Sequence, residues 1–597
     1  MGAADTPTIR VPVGRDAERW TSRSTERRVL LVVHNVTSAG RLLDVLPLFH
    51  DDFRLQLLVT STESSAYQAG TRELFAELGL PVLPWSQALT TPVDLAVSSS
   101  FGGQIELLQG KLAVLSHGVG YTKKLAVPGA GCRVPGAGSR EPTFGLSREW
   151  LLAEGEPFVD ALVLSHPEQV ERLRRTCPEA APAAVLAGDP CFDRMLAGRP
   201  YRDRFRRALG VRDGQRLLVL NSTWNPEGFF GNGGGQDLLP DLLPRLAAEL
   251  PADEYRVAAV LHPNIWYGHG PGQIRAWLDR ARRGGLTLID PVHAWRQALL
   301  AADVVLGDFG AVTYYSAALG VPVLLASAND DRLDPEAPLA EFIREAPRLD
   351  PRRELPDQLE KLLADHRPFS GPAEHTSSAP GASAAALRRR FYTLMELPEP
   401  GAPALLEPLP LPPYAPPHRT APLHVRTRVE GRDVHLERST DQPYHAHTFG
   451  ETHLAVHEDT RDPGDLEVAD VIVREGGADD PRLGGPGRWS AQVLRRHPHC
   501  ALAGFVTGPD SCTVRTRECG LLDLSAEDGA DADPAAYASA LYAWLASGGS
   551  LPPDGTTLRV RTAALSHPVR VRPATARPRS AAADPPDTAG ASWPFPV

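Results

Sequence analysis

From residue 28 onward, short apolar runs alternate with amphipathic stretches of about ten residues, a rhythm that commits the chain to parallel sheets covered by helices on both faces. The first half reads VLLVVH (29–34), SAGRLLDVLPLF (38–49), FRLQLLVT (53–60), AGTRELFAELG (69–79), VDLAVSS (93–99) and KLAVLSH (111–117). Ser and Thr at Thr37, Ser38 and Thr71 mark helix starts. The pattern continues through ALVLSHPEQVERLRR (161–175) and AAVLAGD (183–189). A second series follows: RFRRALG (204–210), LLVLNSTW (217–224), YRVAAVLH (255–262), LTLID (286–290) and a late helix, ALRRRFYTLMEL (386–397). The expected fold is α/β with two Rossmann-like domains and a small C-terminal α+β module.

At 597 residues and 42% apolar, the chain exceeds what one core accommodates. The expected divisions are a disordered N-terminus (1–26), an acceptor domain (27–196), a nucleotide-donor domain (197–397), a Pro-rich linker (398–421), the α+β module (422–573) and a disordered tail (574–597). The linker composition, PEPGAPALLEPLPLPPYAPPHRTAP, predicts a stiff extended tether. In the module, VADVIVRE (468–475), LAGFVTG (502–508) and TLRVRTAAL (557–565) read as strands, and YASALYAWLASG (537–548) reads as a helix. The tandem VPGAGCR-VPGAGSR (127–140) reads either as a lid near the acceptor or as a tolerated surface insertion.

A formal charge of −11 argues against a general nucleic-acid binder, which needs a basic face. Six cysteines (132, 177, 191, 500, 512, 519) without a CxxC pair suggest reduced thiols and a cytoplasmic setting. No apolar run approaches the ~20 residues that span a bilayer, so membrane contact is expected to be peripheral, at the inner face.

Four segments that follow strands carry candidate chemistry. The segment 301–327, AADVVLGDFGAVTYYSAALGVPVLLAS, is a strand, tight turn, helix and strand. Its turn exposes unpaired N–H groups at the positive end of the helix dipole, which suits a diphosphate. Asp308, Gly310, Ala311, Val312 and Thr313 are its candidate donor-binding residues, with a capping role for Asp308 as the alternative. In SHGVGYTKK (116–124), His117 can take a proton near neutral pH, and Gly118, Lys123 and Lys124 can hold an anionic acceptor. The alternative for His117 is a hydrogen-bonded structural histidine. Ser222, Thr223 and Trp224 offer hydroxyls and a stacking ring for the donor, or form an ordinary turn around a buried Trp. Pro263 fixes the chain exit beside His262, while His269 reads as exposed filler.

Tyr444-His445-Ala446-His447 with His453 and His457 invites a metal reading, but no Cys or placed carboxylate completes a ligand set and THLAVH alternates like a strand. No metal site or cofactor is assigned. GNGGG at 231–235 lacks the placement of a dinucleotide fingerprint.

In order and spacing, these segments resemble the CDP-glycerol glycerophosphotransferase family, the teichoic-acid primases and polymerases of the cell envelope. Its HG…KK element is similar to His117-Gly118…Lys123-Lys124, its G-Y-P-R-N-D turn to Gly188-Asp-Pro-Cys-Phe-Asp193 and its A-P-T-W/F-R strand end to Asn221-Ser-Thr-Trp-Asn225. Its R-x-H-P resembles Val260-Leu-His-Pro263, and its T/S-D-Y-S-S resembles Gly307-Asp-Phe-Gly-Ala311. The likeness spans roughly residues 110–330. It implies a GT-B glycosyltransferase architecture, His117 as base on the acceptor hydroxyl, His262 as phosphate ligand, and Thr223, Asp308 and Thr313 at the donor. The implied partners are a nucleotide-diphosphate donor and a polyol phosphate or glycan acceptor. The chain departs from the family pattern at Val260 and Asn225, where arginines stand, and at Gly310 and Ala311, where serines stand. Two further activities fit the same architecture: a nucleotide-binding module without turnover, and a nucleotide-sugar epimerase or hydrolase.

Overall fold

A computed structural model describes residues 8–124, 142–233, 237–416, 418–441, 450–476, 484–526, 532–563 and 565–574. The tandem repeat at 127–140, Cys132, His445 and His447 lie outside these residues.

The first sheet has seven strands among the described residues: β1 (Arg27–Val33), β2 (Leu55–Ser61), β3 (Val82–Leu83), β4 (Leu95–Ser98), β5 (Lys111–Val114) and, after a small hairpin of β6 (Leu152–Ala153) and β7 (Glu156–Pro157), β8 (Ala161–Leu164) and β9 (Ala184–Leu186). They run parallel in the order β3-β2-β1-β4-β5-β8-β9. The apolar run of β1 has no polar alternation because both faces are covered: Val29, Leu31 and Val33 enter one core, Leu30 and Val32 the other. The second sheet, β10 (Arg216–Ser222), β11 (Tyr255–Leu261), β12 (Thr287–Leu288), β13 (Val304–Gly307) and β14 (Val323–Leu325), is also parallel, in the order β12-β11-β10-β13-β14. Here Leu217 and Val219 face one core, Leu218 and Leu220 the other.

Helix ends follow local chemistry. The helix Val36–Val45 starts at Asn35 rather than at Thr37 or Ser38: Asn35 Oδ1 accepts from Ser38 N at 2.9 Å, and Ser38 Oγ accepts from Asn35 N at 3.1 Å. Thr71 is the first residue of its helix, behind Gly70.

The two α/β units exchange helices. Cys191, Phe192 and Met195, from the helix Pro190–Gly198, share a core with Val219 and Val305 of the second sheet. The late helix, Ser383–Leu394, expected to close the second unit, packs instead on the first sheet, where Phe391 stacks on Phe49 at 5.5 Å. Its amphipathic pattern announces that it docks but carries no address. Phe391 is fully buried, so Phe391→Ala is expected to cost about 3–5 kcal/mol of urea-unfolding free energy. A loss under about 1 kcal/mol would show the helix to be peripheral.

Residues 8–26, expected to be disordered together with 1–7, are ordered against the first unit. Ile9 exchanges two hydrogen bonds with the Gln87 side chain, at 2.8 and 2.7 Å, and Ile9 and Val13 pack on the first core. The Pro-rich segment is likewise no free tether. Arg388 donates to Ala402 O (2.6 Å), Arg194 to Glu407 O (2.7 Å), Gln297 to Pro410 O (2.9 Å), and Ala415 N to Ala208 O (2.8 Å). It is a strap laid across both units.

Beyond it stands a closed barrel of nine strands among the described residues: β15 (Leu423–Glu430), β16 (Asp433–Ser439), β17 (Glu451–His457), β18 (Val471–Glu475), β19 (Leu502–Gly508), β20 (Ser511–Thr516), β21 (Gly520–Ala526), β22 (Thr556–Thr562) and β23 (Leu565–Pro573). The sequence shows three of these runs plainly; the others escape because outward Arg, Glu and Asp dilute their hydropathy. The strands wrap the helix Pro534–Ala546, which is apolar all round and shares their core. His453 and His457 lie on β17, as the alternating pattern implied, and both are buried.

Candidate functional site

A cavity of about 370 Å³ opens between the carboxyl edges of the two parallel sheets. From the first sheet it receives the turn after β1 (Asn35, Thr37, Arg41) and the loop after β5 (Ser116 to Lys124). From the second come the ends of β10 (Asn221 to Asn225) and β11 (His262 to Asn264) and the start of the helix Ala311–Ala318. His117, Gly118, Lys123, Lys124, Ser222, Thr223, Trp224, His262, Gly310, Ala311 and Val312 all line it.

Asp308 and Thr313 do not. Both are fully buried beneath the cavity floor. Asp308 Oδ2 accepts from Thr223 N (2.8 Å), Phe229 N (3.0 Å) and Ser222 Oγ (3.2 Å), and Oδ1 accepts from Gly310 N (3.0 Å). Burial pushes this carboxyl's pKa up against those donors. Thr313 Oγ1 accepts from Asn221 Nδ2 (2.8 Å) and Asp308 N (3.2 Å). These two residues tie the β10 turn to the β13 turn, and direct donor contact is corrected to support from below. Ser222 lines the cavity, but its hydroxyl is engaged by Phe230 N at 2.8 Å and Thr223 O at 2.9 Å.

The turn after β13 turns a helix start towards the cavity. Gly310 precedes the helix without a side-chain cap, and Ala311 and Val312 bring its first turn to the cavity. A Cβ on Gly310 would lie 3.0 Å from Asp308 Oδ1 and 3.1 Å from Thr223 Cβ, so the tight turn resists a serine here.

The two histidines hold opposite tautomers. His117 Nδ1 lies 3.1 Å from Ser99 O, an acceptor only, so Nδ1 carries the proton and Nε2 holds a bare lone pair. His262 Nδ1 accepts from Asn264 N at 3.1 Å, which leaves the proton on Nε2. Crowding by surrounding protein, with Lys123 and Arg41 nearby, lowers the His117 pKa to about 4, even though the ring stays open to solvent within the cleft. Desolvation, with Lys123 and His117 adding repulsion, drives His262 well below the usual imidazole range. Both rings are neutral at pH 7. If His117 is a base, kcat/KM should hold level from neutral pH down to about 5 and fall as His117 protonates near 4. An acid limb near the ordinary 6.5 would contradict this environment.

Among the described residues lining the cavity there is no Asp or Glu, while Arg41, Lys123, Lys124, Arg296 and Arg332 all contribute. In a chain of formal charge −11, this concentrates positive potential in one crevice. Three of these cations escaped the sequence reading. Arg41 stands on an otherwise apolar helix, three residues before Asp44, the one signal that could have exposed it. Arg41 donates to Asp189 Oδ1 (3.1 Å) and Gly118 O (3.0 Å) and meets the Tyr315 hydroxyl, itself bonded to Asp189. Arg296 is bidentate on Asp44, with Oδ2 at 2.8 Å, and Arg332 pairs with Glu227 at 2.9 Å.

Across the mouth the halves interlock. Tyr67 lies edge-on to Trp224 at 5.7 Å and seats against Gly268, where a Cβ would come within 3.2 Å of its ring. Reciprocally, Tyr267 covers Gly70, which sits at φ +84° and would drive a Cβ to 2.5 Å from the Tyr267 ring. His269, off the cavity, is exposed and stacks edge-on with Trp277.

No family model matches the chain, and no curated protein matches it. Solved structures do. The wall teichoic acid polymerase TagF is 13% identical, with a TM-score of 0.40 over 63% of this chain and 89% of that one. A glycosyltransferase from Rickettsia africae is 10% identical, at 0.33 over 63% and 99%. HepE of Anabaena, in complex with UDP-glucose, is 12% identical, at 0.32 over 62% and 97%. These similarities concern the chain trace and do not bear on the chemistry of the cleft. Among the described residues no helix is long and apolar enough to cross a membrane, and no three His, Cys, Asp or Glu converge as a metal site.

Proposed function

We propose that the chain is a transferase of the GT-B kind that seats a nucleotide-diphosphate donor in this cleft and moves glycerol phosphate, or a sugar, to the hydroxyl of a polyol phosphate or glycan. The observation that carries this reading is the pair of neutral histidines of opposite tautomer in a crevice that no Asp or Glu lines among the described residues. One ring is set to accept a proton, the other to donate a hydrogen bond. The family resemblance of residues 110–330 adds the choice of CDP-glycerol as first donor to try.

In the glycerol-phosphate case, His117 Nε2 takes the proton of the acceptor hydroxyl as its oxygen bonds to the phosphorus nearest glycerol. The bond from that phosphorus to the bridging oxygen breaks in line, and the nucleoside monophosphate leaves with the electron pair. The His262 Nε2–H and the uncapped N–H groups at Ala311 and Val312 donate to phosphate oxygens and absorb the growing charge. Gly118 brings the acceptor loop against this helix: a Cβ there would lie 3.6 Å from the Ala311 Cβ.

The test is release of cytidine monophosphate from CDP-glycerol by purified protein given a glycerol-phosphate primer. Nucleotide binding without release would favour a module without turnover, the reading that Val260 and Asn225 support by removing two arginines from the donor side. Free monosaccharide formed from a nucleotide sugar without acceptor would favour a hydrolase or epimerase.

A further inference from the structure

The lysine loop after β5 belongs to one sheet by sequence and to the other by contact. Lys123 pairs as an antiparallel bridge with Leu333, Lys124 N donates to Arg332 O at 2.9 Å, and Asp334 N donates to Thr122 O at 2.9 Å. Arg172 and Thr143 fix the same junction through Asp334 Oδ2, at 3.1 and 2.8 Å. Residues 122–124 are therefore docked on the segment that follows β14.

From that position the Lys123 ammonium reaches the donor side. Nζ lies 3.3 Å from Thr223 Oγ1 and 3.4 Å from Asn225 Oδ1, two neutral oxygens at the end of β10. Among the described residues no carboxylate stands within ion-pairing distance of it. Asp308, the carboxylate whose charge acts on it, lies below with its oxygens already taken by the backbone N–H groups of Thr223, Phe229 and Gly310. Burial accordingly pushes the Lys123 pKa down, with Asp308 only partly opposing this. A charge removed from water with only long contacts to neutral oxygens is poised for an anion that arrives from outside.

Resting on the reading of the cleft as a donor site, we propose that Lys123 is the ligand of the donor diphosphate. It supplies, from the first unit, the cation that Asn225 and Val260 leave out of the second. The expected recognition is of a pyrophosphate, by a point charge that the two turns at β10 and β13 surround. The acceptor role expected for Lys123 from its place beside Lys124 passes to other groups of the loop.

The experiment is calorimetric titration of the full chain with the diphosphates of cytidine, uridine and guanosine, then with the monophosphate of whichever binds best. Lys123→Met should weaken the diphosphate by on the order of 10- to 100-fold and the monophosphate far less. Asn225→Asp, which neutralises the ammonium without touching it, should give the same selective loss. Lys123→Arg should retain most of the affinity, and Lys361→Met, the removal of a positive charge on an exposed remote helix, should change nothing. Diphosphate affinity unchanged in Lys123→Met and Asn225→Asp, or equal losses for both nucleotides, would overturn the assignment. If Lys123→Met melts before titration, Asn225→Asp and Lys123→Arg decide it alone. A wild-type chain that takes no nucleotide would instead remove the donor reading itself.

Discussion

Replacing His117 with alanine is expected to lower kcat by roughly 10²- to 10⁴-fold while leaving nucleotide affinity within a few-fold, since only the proton acceptor for the incoming hydroxyl is lost. The separation follows from placement. His117 stands on the first-sheet side, held by Ser99 O and edge-on to Phe144 at 5.6 Å, whereas the turn proposed to hold the donor diphosphate belongs to the second sheet. Its ring is open to solvent, so thermal stability should barely move. Single-turnover release of monophosphate, alongside nucleotide titration, reads both quantities. Equal loss of binding and turnover would make His117 a donor ligand, and unchanged turnover would remove it from the chemistry.

A stability effect as large as that at Phe391 is expected at Arg438, outside the lining of the cleft. This arginine on β16 is 1% exposed and bidentate on Asp253, at 2.8 and 2.6 Å, with Asp533 at 2.7 Å. Asp253 belongs to the second α/β unit, and Asp533 caps the helix inside the barrel by accepting from Ala535 N at 3.1 Å. Burial would raise the Asp533 pKa, but Arg438 and Arg212 hold it well below the usual carboxylate range. Arg438→Ala takes the arginine from Asp253 and leaves Asp533 paired with Arg212 at 3.6 Å, and should cost about 3–5 kcal/mol, read from hydrogen exchange of β16 and the enclosed helix. The pH dependence gives the sign. In the native protein a depressed carboxylate contributes stability at neutral pH that is lost as pH falls below the ordinary carboxylate range. In the variant Asp533 loses the largest of the charges that hold its pKa down, so the gap from wild type should narrow as the pH falls through the ordinary carboxylate range. A gap that is small at neutral pH, or that widens in acid, would show the clamp to be incidental.

The parallel sheets were legible because their strands are buried on both faces. LLVL and VVLG are unbroken apolar runs that only a covered sheet explains, and the polar residues immediately after them had to face the sheet edge. The barrel was harder. β15 reads LHVRTRVE, with every second position charged or polar, so the apolar half of the strand is too sparse to stand out from loop. Within the site, residue type and spacing selected most of the lining residues but not their direction. Asp308 and Ser222 look alike in sequence to groups that face a ligand, and only the packing of two turns against each other shows them engaged from behind. Arg41 was missed, and the reach of Lys123 across the cleft was not foreseen, because each also contacts the unit to which it does not belong. Such partners are long-range facts with no local trace.

The proline strap has a further consequence. A loose leash would let the barrel explore many bearings; lashed at Ala402, Glu407, Pro410 and Ala415, it is presented at one angle to the crevice. The backbone bonds from Ala252 N to Arg438 O and from Thr440 N to Ala247 O hold the same bearing from the other side, so lengthening the strap with glycines should loosen one of two moorings and alter neither component.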